Sequence, residues 1–361
     1  MKPEQRVQRN LQPKKNHVLI LTSTRCGSSF LGQLFNYHPD VFYLYEPVVN
    51  VKNSLHLHLQ HETDRRQLLS SGRDVLRNLF KCNLYVLENY LNPPKKHILE
   101  NLHRRGANKA FCSPPVCYAL KHDMVSINES ECVSKCGPLN LTLATDSCQG
   151  KGNVVIKEVF MTPRVDELRD LLEDSQLNLK VIQLVRDPRA ILASRLAIRP
   201  PLKPYSSWRI LNDHRRKQSD LTLQECGDFL RSVSVGLSWP QWLRGRYMVL
   251  RYEDLTQEPL QKLQEIYEFV GLSMDQKVMD WIEQNTKESE ETTSNSQYST
   301  KRNSSATAEN WRKELSYAAV EHLQNICQKT LNILGYKLVR NPEELKNMSL
   351  SLIEDKQFML H

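Results

Sequence analysis

The chain has 361 residues and lacks any long hydrophobic run. Residues 1–16 are polar and basic, and the first apolar run, Val18 to Leu21, is too short for a signal peptide or a membrane span. Internal repeats are also missing, which excludes solenoid and propeller architectures. Apolar residues make up 40% of the chain, enough for a sizeable core. We expect one large domain or two ordinary ones, preceded by a polar tail or stem remnant at 1–16.

Two common binding signatures are absent as well. No segment has the G-x-x-x-x-G-K-[ST] pattern of a Walker A loop, which argues against a P-loop kinase. Five of the nine cysteines lie from Cys112 to Cys148, but they lack the C-x2-C spacing and the well-placed histidines of a zinc site. The sequence therefore predicts no metal site.

Disulfides formed in an oxidising compartment explain the clustered cysteines better. Two N-glycosylation sequons, at Asn128 and Asn140, lie inside the cluster, and two more begin at Asn303 and Asn347. Residues 92–150, rich in Pro, Cys, Gly and Asn, are predicted to form a disulfide-pinned insert in a protein of the secretory pathway. Because nine is odd, at least one thiol stays free or pairs between chains.

Positive charge is in excess, with a formal net charge of +8. This balance favours a polyanionic partner, and a phosphorylated nucleotide, a sulfated glycan and nucleic acid all fit it. A basic surface without a partner fits equally well, so charge alone does not identify the ligand.

Strand-like and helix-like segments alternate along the chain. Short apolar runs predict strands, and apolar residues at helical spacing predict helices. The predicted strands are 18–22, 40–47, 153–160, 179–185 and 246–255, and the predicted helices are 28–37, 64–91, 163–174, 188–196, 259–270 and a pair within 309–336. This alternation is typical of a single α/β domain with a largely parallel central sheet flanked by helices.

The segment TRCGSS, residues 24–29, lies between the first predicted strand and the first predicted helix. Small residues between a strand and a helix N-terminus form an anion site, because free N–H groups and the helix dipole point at the ligand. Gly27 allows close backbone approach, Ser28 and Ser29 add hydroxyl donors, and Arg25 adds positive charge. The alternative is that Ser28 only caps the helix and Arg25 is a surface charge.

A second strand, turn and helix lies at LVRDPRAILAS, with Arg186 at the strand end and Ser194 eight residues later. The carboxyl ends of parallel strands line one edge of a sheet, where ligands bind. Arg186 and the first turn are therefore predicted to converge on one multiply charged ligand, with Ser194 facing its second phosphate. The alternative for Arg186 is an ion pair with Asp187 or Glu253.

Together the two motifs resemble those of sulfotransferases, which use 3′-phosphoadenosine 5′-phosphosulfate (PAPS). The segments TRCGSSFLGQLFNYHPDVFYLYEP, LENYLNPP, RRGANKAFCSPPVC, LNLKVIQLVRDPRAILASR, RYEDL and RNSSATAENWR are similar to the Golgi galactose, N-acetylglucosamine and N-acetylgalactosamine 6-O-sulfotransferases. The similarity runs from about residue 16 to the C-terminus. It implies a sulfotransferase fold, related to that of P-loop NTPases, over 17–340, with 341–361 as a C-terminal tail.

Within this family the chain most resembles the enzymes that act on keratan sulfate. The resemblance implies metal-independent transfer of a sulfuryl group from PAPS to the 6-hydroxyl of galactose in keratan sulfate or related poly-N-acetyllactosamine glycans. A chondroitin N-acetylgalactosamine or an N-acetylglucosamine 6-O-sulfotransferase is an alternative, as is a glycan-binding protein without activity. The implied partner is a glycan and not nucleic acid. We expect residence in the Golgi lumen or membrane; family members have a membrane anchor, and this sequence displays none.

In the family the first motif binds the 5′-phosphosulfate, the second binds the 3′-phosphate, and a late loop closes over the nucleotide. The residues that this implies for PAPS binding are Thr24, Arg25, Cys26, Gly27, Ser28, Ser29, Arg186, Ser194, Lys301, Arg302, Asn303 and Ser304. Family members often have serine in place of Cys26. Because the turn contributes mainly N–H groups, and no covalent intermediate is needed, we expect Cys26 to be a tolerated substitution and not a nucleophile. A glycan on Asn303 would block the cofactor, so that sequon is predicted to stay unmodified.

Three residues are predicted to carry the catalysis. Glu46 ends the strand after the first helix, where related enzymes place a glutamate base, and is predicted to take the acceptor proton. Arg25 and Lys157 are predicted to neutralise charge on the moving group and the leaving oxygen. The alternatives are an ion-paired or capping Glu46, with His38 as the base, although His38 fits a turn residue better. The basic segment 197–219 is predicted to lie near the acceptor groove.

Overall fold

The computed structural model describes residues 15–58, 61–120, 128–159, 164–198, 208–286 and 308–358, with the backbone alone at 208–215 and 286. Its centre is a five-stranded sheet in which every neighbouring pair of strands is parallel. Helices flank this sheet. The predicted α/β class with a largely parallel sheet is confirmed.

The strands of the described residues form this sheet and a small antiparallel pair. They are β1 Asn16–Leu21, β2 Val41–Tyr45, β3 Ile98–Leu99, β4 Leu139–Asn140, β5 Asn153–Glu158, β6 Asn178–Val185 and β7 Tyr247–Arg251. The main sheet has the order β2-β5-β1-β6-β7, and β3 pairs with β4. Because all five main strands run the same way, the segments that follow them meet at one edge.

Helices lie between the strands in the chain and also follow the last strand, β7. They are α1 Ser28–Asn36, α2 Val48–Ser54, α3 Glu62–Phe80, α4 Glu129–Cys136, α5 Leu141–Gln149, α6 Arg169–Leu172, α7 Pro188–Leu196, α8 Trp208–Leu237, α9 Tyr252–Gln257, α10 Pro259–Val270, α11 Gln276–Thr286, α12 Trp311–Glu314, α13 Tyr317–Leu334 and α14 Pro342–Lys346. Gly271, in the left-handed conformation, ends α10 as the sequence predicts.

Several segments differ from the sequence-based expectation. The helix predicted over 64–91 ends at Phe80 and is followed by a 3-10 helix at Leu84–Asn89, and the strand predicted over 246–255 ends at Arg251, where α9 begins. The helix predicted at 163–174 is a 3-10 turn at Val165–Leu168 followed by the single turn of α6. The 30-residue helix α8 covers a stretch in which the sequence patterns predict none. Phe229 and Val233 of α8 are buried in the core, and a disulfide joins α8 to α13. Tertiary packing therefore stabilises a helix that the polar sequence of this segment does not predict.

The insert is held by disulfides, as the sequence predicts. The pairs are Cys82–Cys148, Cys112–Cys132, Cys117–Cys136 and, outside the insert, Cys226–Cys327. Each bridge restricts the unfolded chain and typically stabilises a fold by about 2–4 kcal/mol. Two of them join α4 to the loop before it, where a small apolar cluster with Leu120 forms. Cys26 is the free cysteine and is buried.

The C-terminal helices pack back onto the domain. Buried Arg312 donates to the carbonyls of Glu344, Leu345 and Leu350, which fixes the segment after α13. Among the described residues, no helix has both the length and the apolar character needed to cross a membrane.

Candidate active site

The TRCGSS turn leaves β1 and enters α1 through Gly27, whose φ is +83°. A Cβ at Gly27 would lie 2.2 Å from ring carbons of Tyr252, so the turn needs glycine for both its conformation and its space. Gly27, and not Ser28, is the N-cap residue, and no described side chain caps this nine-residue helix. The suggestion that Ser28 caps α1 is therefore wrong. The first amides of α1 are left for an anion.

The second motif meets the first at the same sheet edge. The Nε of Arg25 donates to Ser194 Oγ at 3.0 Å, and a guanidinium nitrogen of Arg186 donates to the Arg25 carbonyl at 2.9 Å. The Arg186 guanidinium also lies 4.6 Å from the centroid of the Tyr252 ring, which packs on Gly27. The structure thus brings the two predicted phosphate-binding motifs into one cluster. Arg25 adopts a φ of +72°, a strained conformation of the kind found at binding sites.

The residues suggested as alternative partners of Arg186 have other contacts. Asp187 caps α7 through the Arg189 amide and pairs with the Arg189 guanidinium at 2.7 Å. Glu253 accepts from the Asp187 amide and from the Tyr336 hydroxyl. Burial raises the pKa of Glu253, an effect that the Arg186 charge partly offsets. The Arg186 charge therefore lowers the pKa of Glu253, while its guanidinium belongs to the cradle, the cluster formed by the TRCGSS turn, Arg186 and Ser194.

Cys26 lies in the core below the turn. Its side chain is fully buried, and its Sγ lies 3.1 Å from Ser23 Oγ. Burial, followed by the negative charge of Glu225, raises the pKa of the Cys26 thiol. A buried protonated thiol is a poor nucleophile. Cys26 can therefore contribute its backbone to the anion site but not its side chain.

Arg195, which the sequence analysis missed, supports the cradle from behind. Its guanidinium donates to the carbonyl and, at 2.8 Å, to the hydroxyl of Thr24, and it also reaches Thr222 and Glu225 on α8. The side chain of Arg195 is 4% exposed. Through it, α7 and α8 hold the start of the TRCGSS turn. Its position directly after Ser194 was a signal in the sequence, but its partners lie 171 and 30 residues away.

Glu46 and Lys157 form a buried ion pair beside the cradle. Lys157 lies on β5, between β1 and β2, and its Nζ donates to Glu46 Oε1. The Lys157 side chain is 1% exposed and that of Glu46 is 8% exposed. Burial lowers the pKa of Lys157, and the negative charge of Glu46 partly offsets this effect. Glu46 has a φ of +48°, so it shares with Arg25 a strained backbone at the sheet edge.

Tyr45 connects the ion pair to the cradle and to the insert. The Lys157 ammonium lies 3.7 Å from the centroid of its ring, and Ser29 of the cradle lies close enough to the Tyr45 side chain to lower its pKa slightly against the effect of burial. From the other side, Arg104 donates to the Tyr45 hydroxyl at 2.7 Å. Burial raises the pKa of Tyr45, so the hydroxyl stays protonated at neutral pH. Glu46 and Lys157 therefore contact each other, with Tyr45 packed on Lys157, and Ser29 places the turn that contains Arg25 next to Tyr45.

The insert contributes two residues that the sequence analysis did not single out, His103 and Arg104. His103 Nε2 lies 4.0 Å from Glu46 Oε2. Arg104, with φ of +45°, forms a two-pronged ion pair with Glu129 of α4. Arg104 begins the segment RRGANKAFC, which the sequence already marks as part of a family motif, but nothing local connects His103 or Arg104 to Glu46.

The remaining predicted residues divide into two groups. His38 is buried, its Nδ1 accepts from the Asp40 amide and its Nε2 lies 3.1 Å from the Ser273 carbonyl oxygen, which is the arrangement of a structural turn residue. Lys301, Arg302, Asn303 and Ser304 lie outside the described residues, as does 199–207 of the basic segment 197–219. Within the described ranges, no group of three or more His, Cys, Asp or Glu is placed to hold a metal ion.

Comparison with known proteins identifies relatives over nearly the whole chain. A family model described as a sulfotransferase domain matches residues 15–335. Carbohydrate sulfotransferase 1 of Danio rerio is 52% identical over 96% of this chain and 84% of its own length, and the Homo sapiens protein of the same name is 48% identical over 96% and 85%. A solved mouse sulfotransferase complexed with PAP covers 88% of this chain and 85% of its own, at 10% identity and a TM-score of 0.40.

The family match and the parallel sheet with its glycine turn define the class: this is a PAPS-dependent sulfotransferase. At about half identity to the relatives above, the chain belongs to the carbohydrate sulfotransferases, and it transfers sulfuryl groups to a carbohydrate acceptor. The predictions of carbohydrate sulfotransferase activity, of PAPS as the donor and of a glycan acceptor are thereby confirmed.

The residues present fit the donor. The uncapped amides of α1, a turn that a Cβ would fill, and two arginines together suit a group with several negative oxygens. When bound, PAPS supplies the sulfuryl group. Which residue faces its 5′-phosphosulfate and which its 3′-phosphate stays the prediction made from the sequence motifs.

Proposed function

We propose that this protein transfers a sulfuryl group to the 6-hydroxyl of galactose in keratan sulfate or related poly-N-acetyllactosamine glycans. The observation that carries the chemistry is the position of the Glu46–Lys157 pair. Lys157 lies on β5, directly between β1, which leads to the cradle, and β2, which Glu46 directly follows. A proton acceptor and a buried cation therefore lie next to the donor site. The choice of galactose rests on the resemblance to the keratan sulfate enzymes.

The proposed reaction is a single in-line displacement. The acceptor oxygen forms a bond to sulfur while the bond from sulfur to the phosphate oxygen breaks, and that oxygen keeps the electron pair. The hydroxyl proton passes to Glu46, which acts as the general base. Lys157 and Arg25 stabilise the charge that develops on the transferred group and the leaving oxygen. Positioning and charge stabilisation carry most of the catalysis in chemistry of this kind.

We further propose that the protein works in the lumen of the Golgi. Four disulfides fit an oxidising compartment. The sequon residues Asn128 and Asn140 are both N-cap residues at the start of helices in the insert, where surface positions admit a glycan. Immunolocalisation of the tagged protein with a Golgi marker tests this; a cytosolic distribution would contradict it.

A panel of acceptors tests the proposed function. Radiolabelled PAPS is incubated with the purified protein and keratan sulfate, desulfated chondroitin, or an oligosaccharide that ends in N-acetylglucosamine. We expect label on keratan sulfate, with the new sulfate on carbon 6 of galactose by NMR. Transfer to chondroitin alone would support the N-acetylgalactosamine alternative, and transfer to the third acceptor alone the N-acetylglucosamine alternative. Transfer to none would support a glycan-binding protein without activity.

A further inference from the structure

His103 places a second polar group beside Glu46. Its Nε2 lies 4.0 Å from Oε2 of Glu46, whereas Lys157 binds the other oxygen of the same carboxylate. The side chain of His103 is 33% exposed and that of Glu46 is 8% exposed. The imidazole therefore lies on the solvent side of the ion pair, where an acceptor has to enter.

The gap between these two atoms has the size for one shared oxygen. A separation of 4.0 Å is too long for a direct hydrogen bond, but an oxygen at about 2.8 Å from both atoms fits between them. We propose that His103 binds the primary hydroxyl of the acceptor in this gap: the hydroxyl donates to Glu46 and accepts from Nε2–H of His103. The proposal rests on the proposed function, because it assigns to the acceptor hydroxyl the position next to the base.

A neutral His103 can donate a hydrogen bond from Nε2–H and leave Glu46 able to act as the base. Burial lowers the pKa of His103 below its usual value, Arg104 and Lys157 act in the same direction, and Glu46 and Glu129 oppose them. The imidazole is therefore neutral at neutral pH. Protonation in acid would place a positive charge beside Glu46 and weaken its capacity to accept the hydroxyl proton.

The backbone around His103 is held from two sides, so its side chain is positioned before an acceptor binds. The His103 amide donates to Oδ1 of buried Asn50, which lies on α2, four residues after Glu46. The next residue, Arg104, is fixed by Glu129 and by the Tyr45 hydroxyl. Positioning of this kind reduces the entropy that binding the hydroxyl would otherwise cost.

The insert secures this arrangement. A Cβ at Gly106 would lie 2.5 Å from the Cα of Glu129, so the loop after Arg104 and helix α4 are in direct backbone contact. Buried Arg105 donates to the carbonyl of Gly137 at the end of α4 and to that of Phe111. The disulfides of α4 therefore act on the acceptor side of the active site and not only on stability.

A comparison of two variants isolates the proposed hydrogen bond. His103→Leu removes the polar nitrogen and keeps much of the volume, whereas His103→Gln keeps an amide that can donate from a similar position. The probes are an N-acetyllactosamine oligosaccharide and its 6-deoxygalactose analogue, titrated into the enzyme loaded with PAP. The exposed His322 of α13 provides the control His322→Leu.

We expect the wild type and His322→Leu to prefer the hydroxyl-bearing sugar by about tenfold, the contribution of a well-placed hydrogen bond. His103→Gln should keep most of that preference, whereas His103→Leu should keep clearly less of it, because only the bond to Glu46 remains, and should show a raised KM for the acceptor; both should bind PAP as the wild type does. Equal preferences in all variants would overturn the proposal, and so would loss of PAP binding in His103→Leu, which would mark a structural role. If the wild type sulfates no galactose acceptor at all, the proposed function fails instead.

Discussion

The cradle around Gly27 and the His103–Arg104 edge of the insert lie on either side of the Glu46–Lys157 pair, yet they are built differently. The cradle forms because parallel strands end at the same edge of the sheet, where Arg186 donates a hydrogen bond to the Arg25 carbonyl. The insert edge depends on contacts with α2 and α4 and on two disulfides. The difference suggests a division of labour in which the sheet binds the donor and the insert positions the acceptor.

The ion pair between the two regions gives the largest predicted effect. Glu46→Gln keeps the shape of the side chain and removes the proton acceptor, so we expect kcat to fall by about 10²–10⁴-fold while the dissociation constant for PAP changes little. Steady-state kinetics and calorimetry measure the two quantities. Glu173→Gln, at the exposed C-terminal end of α6, is the control. Loss of PAP affinity with little change in kcat would reassign Glu46 to donor binding.

A change in the cradle should affect the donor and leave the acceptor site intact. We expect Arg186→Ala to weaken PAP binding by about 10–100-fold, the effect of losing hydrogen bonds from a charged donor. Isothermal calorimetry with PAP checks this, and Arg244→Ala, an exposed arginine just before β7, should bind normally. An unchanged affinity in Arg186→Ala would place the donor elsewhere.

A change in the insert should affect the acceptor and leave binding of the donor intact. Glu129→Gln breaks the ion pair that fixes Arg104, and we expect the KM for the glycan to rise by about fivefold, because partly buried charge pairs contribute on the order of 1 kcal/mol. PAP affinity should not change. Glu131→Gln, on the same helix and paired with Lys135, is the matched control. If both variants behave alike, the Arg104–Glu129 pair does not position the acceptor.

The smallest effect is predicted inside the cradle itself. Cys26→Ser should alter PAP affinity by less than about threefold, because the turn offers its backbone and the new hydroxyl keeps Ser23 as a partner. The burial-raised pKa of the Cys26 thiol also predicts slow alkylation of the native protein at neutral pH. Rapid labelling with iodoacetamide before unfolding would show that the thiol is accessible.

The same comparison shows what the sequence can and cannot predict. The cradle was predictable because apolar runs define β1 and β6 and because Asp187 and Pro188 start α7 by local rules. Arg195, His103 and α8 were not, since their roles depend on partners that are far away in the chain. The pairing of the cysteines could not be predicted from the sequence either, although the presence of disulfides in the insert could.

One measurement tests the division between donor and acceptor sides most directly: the dissociation constant for PAP in Arg186→Ala and in His103→Leu, determined side by side by calorimetry. We predict a rise of about tenfold or more in Arg186→Ala and a value within about twofold of wild type in His103→Leu. A rise of similar size in both variants, or in neither, would contradict the account.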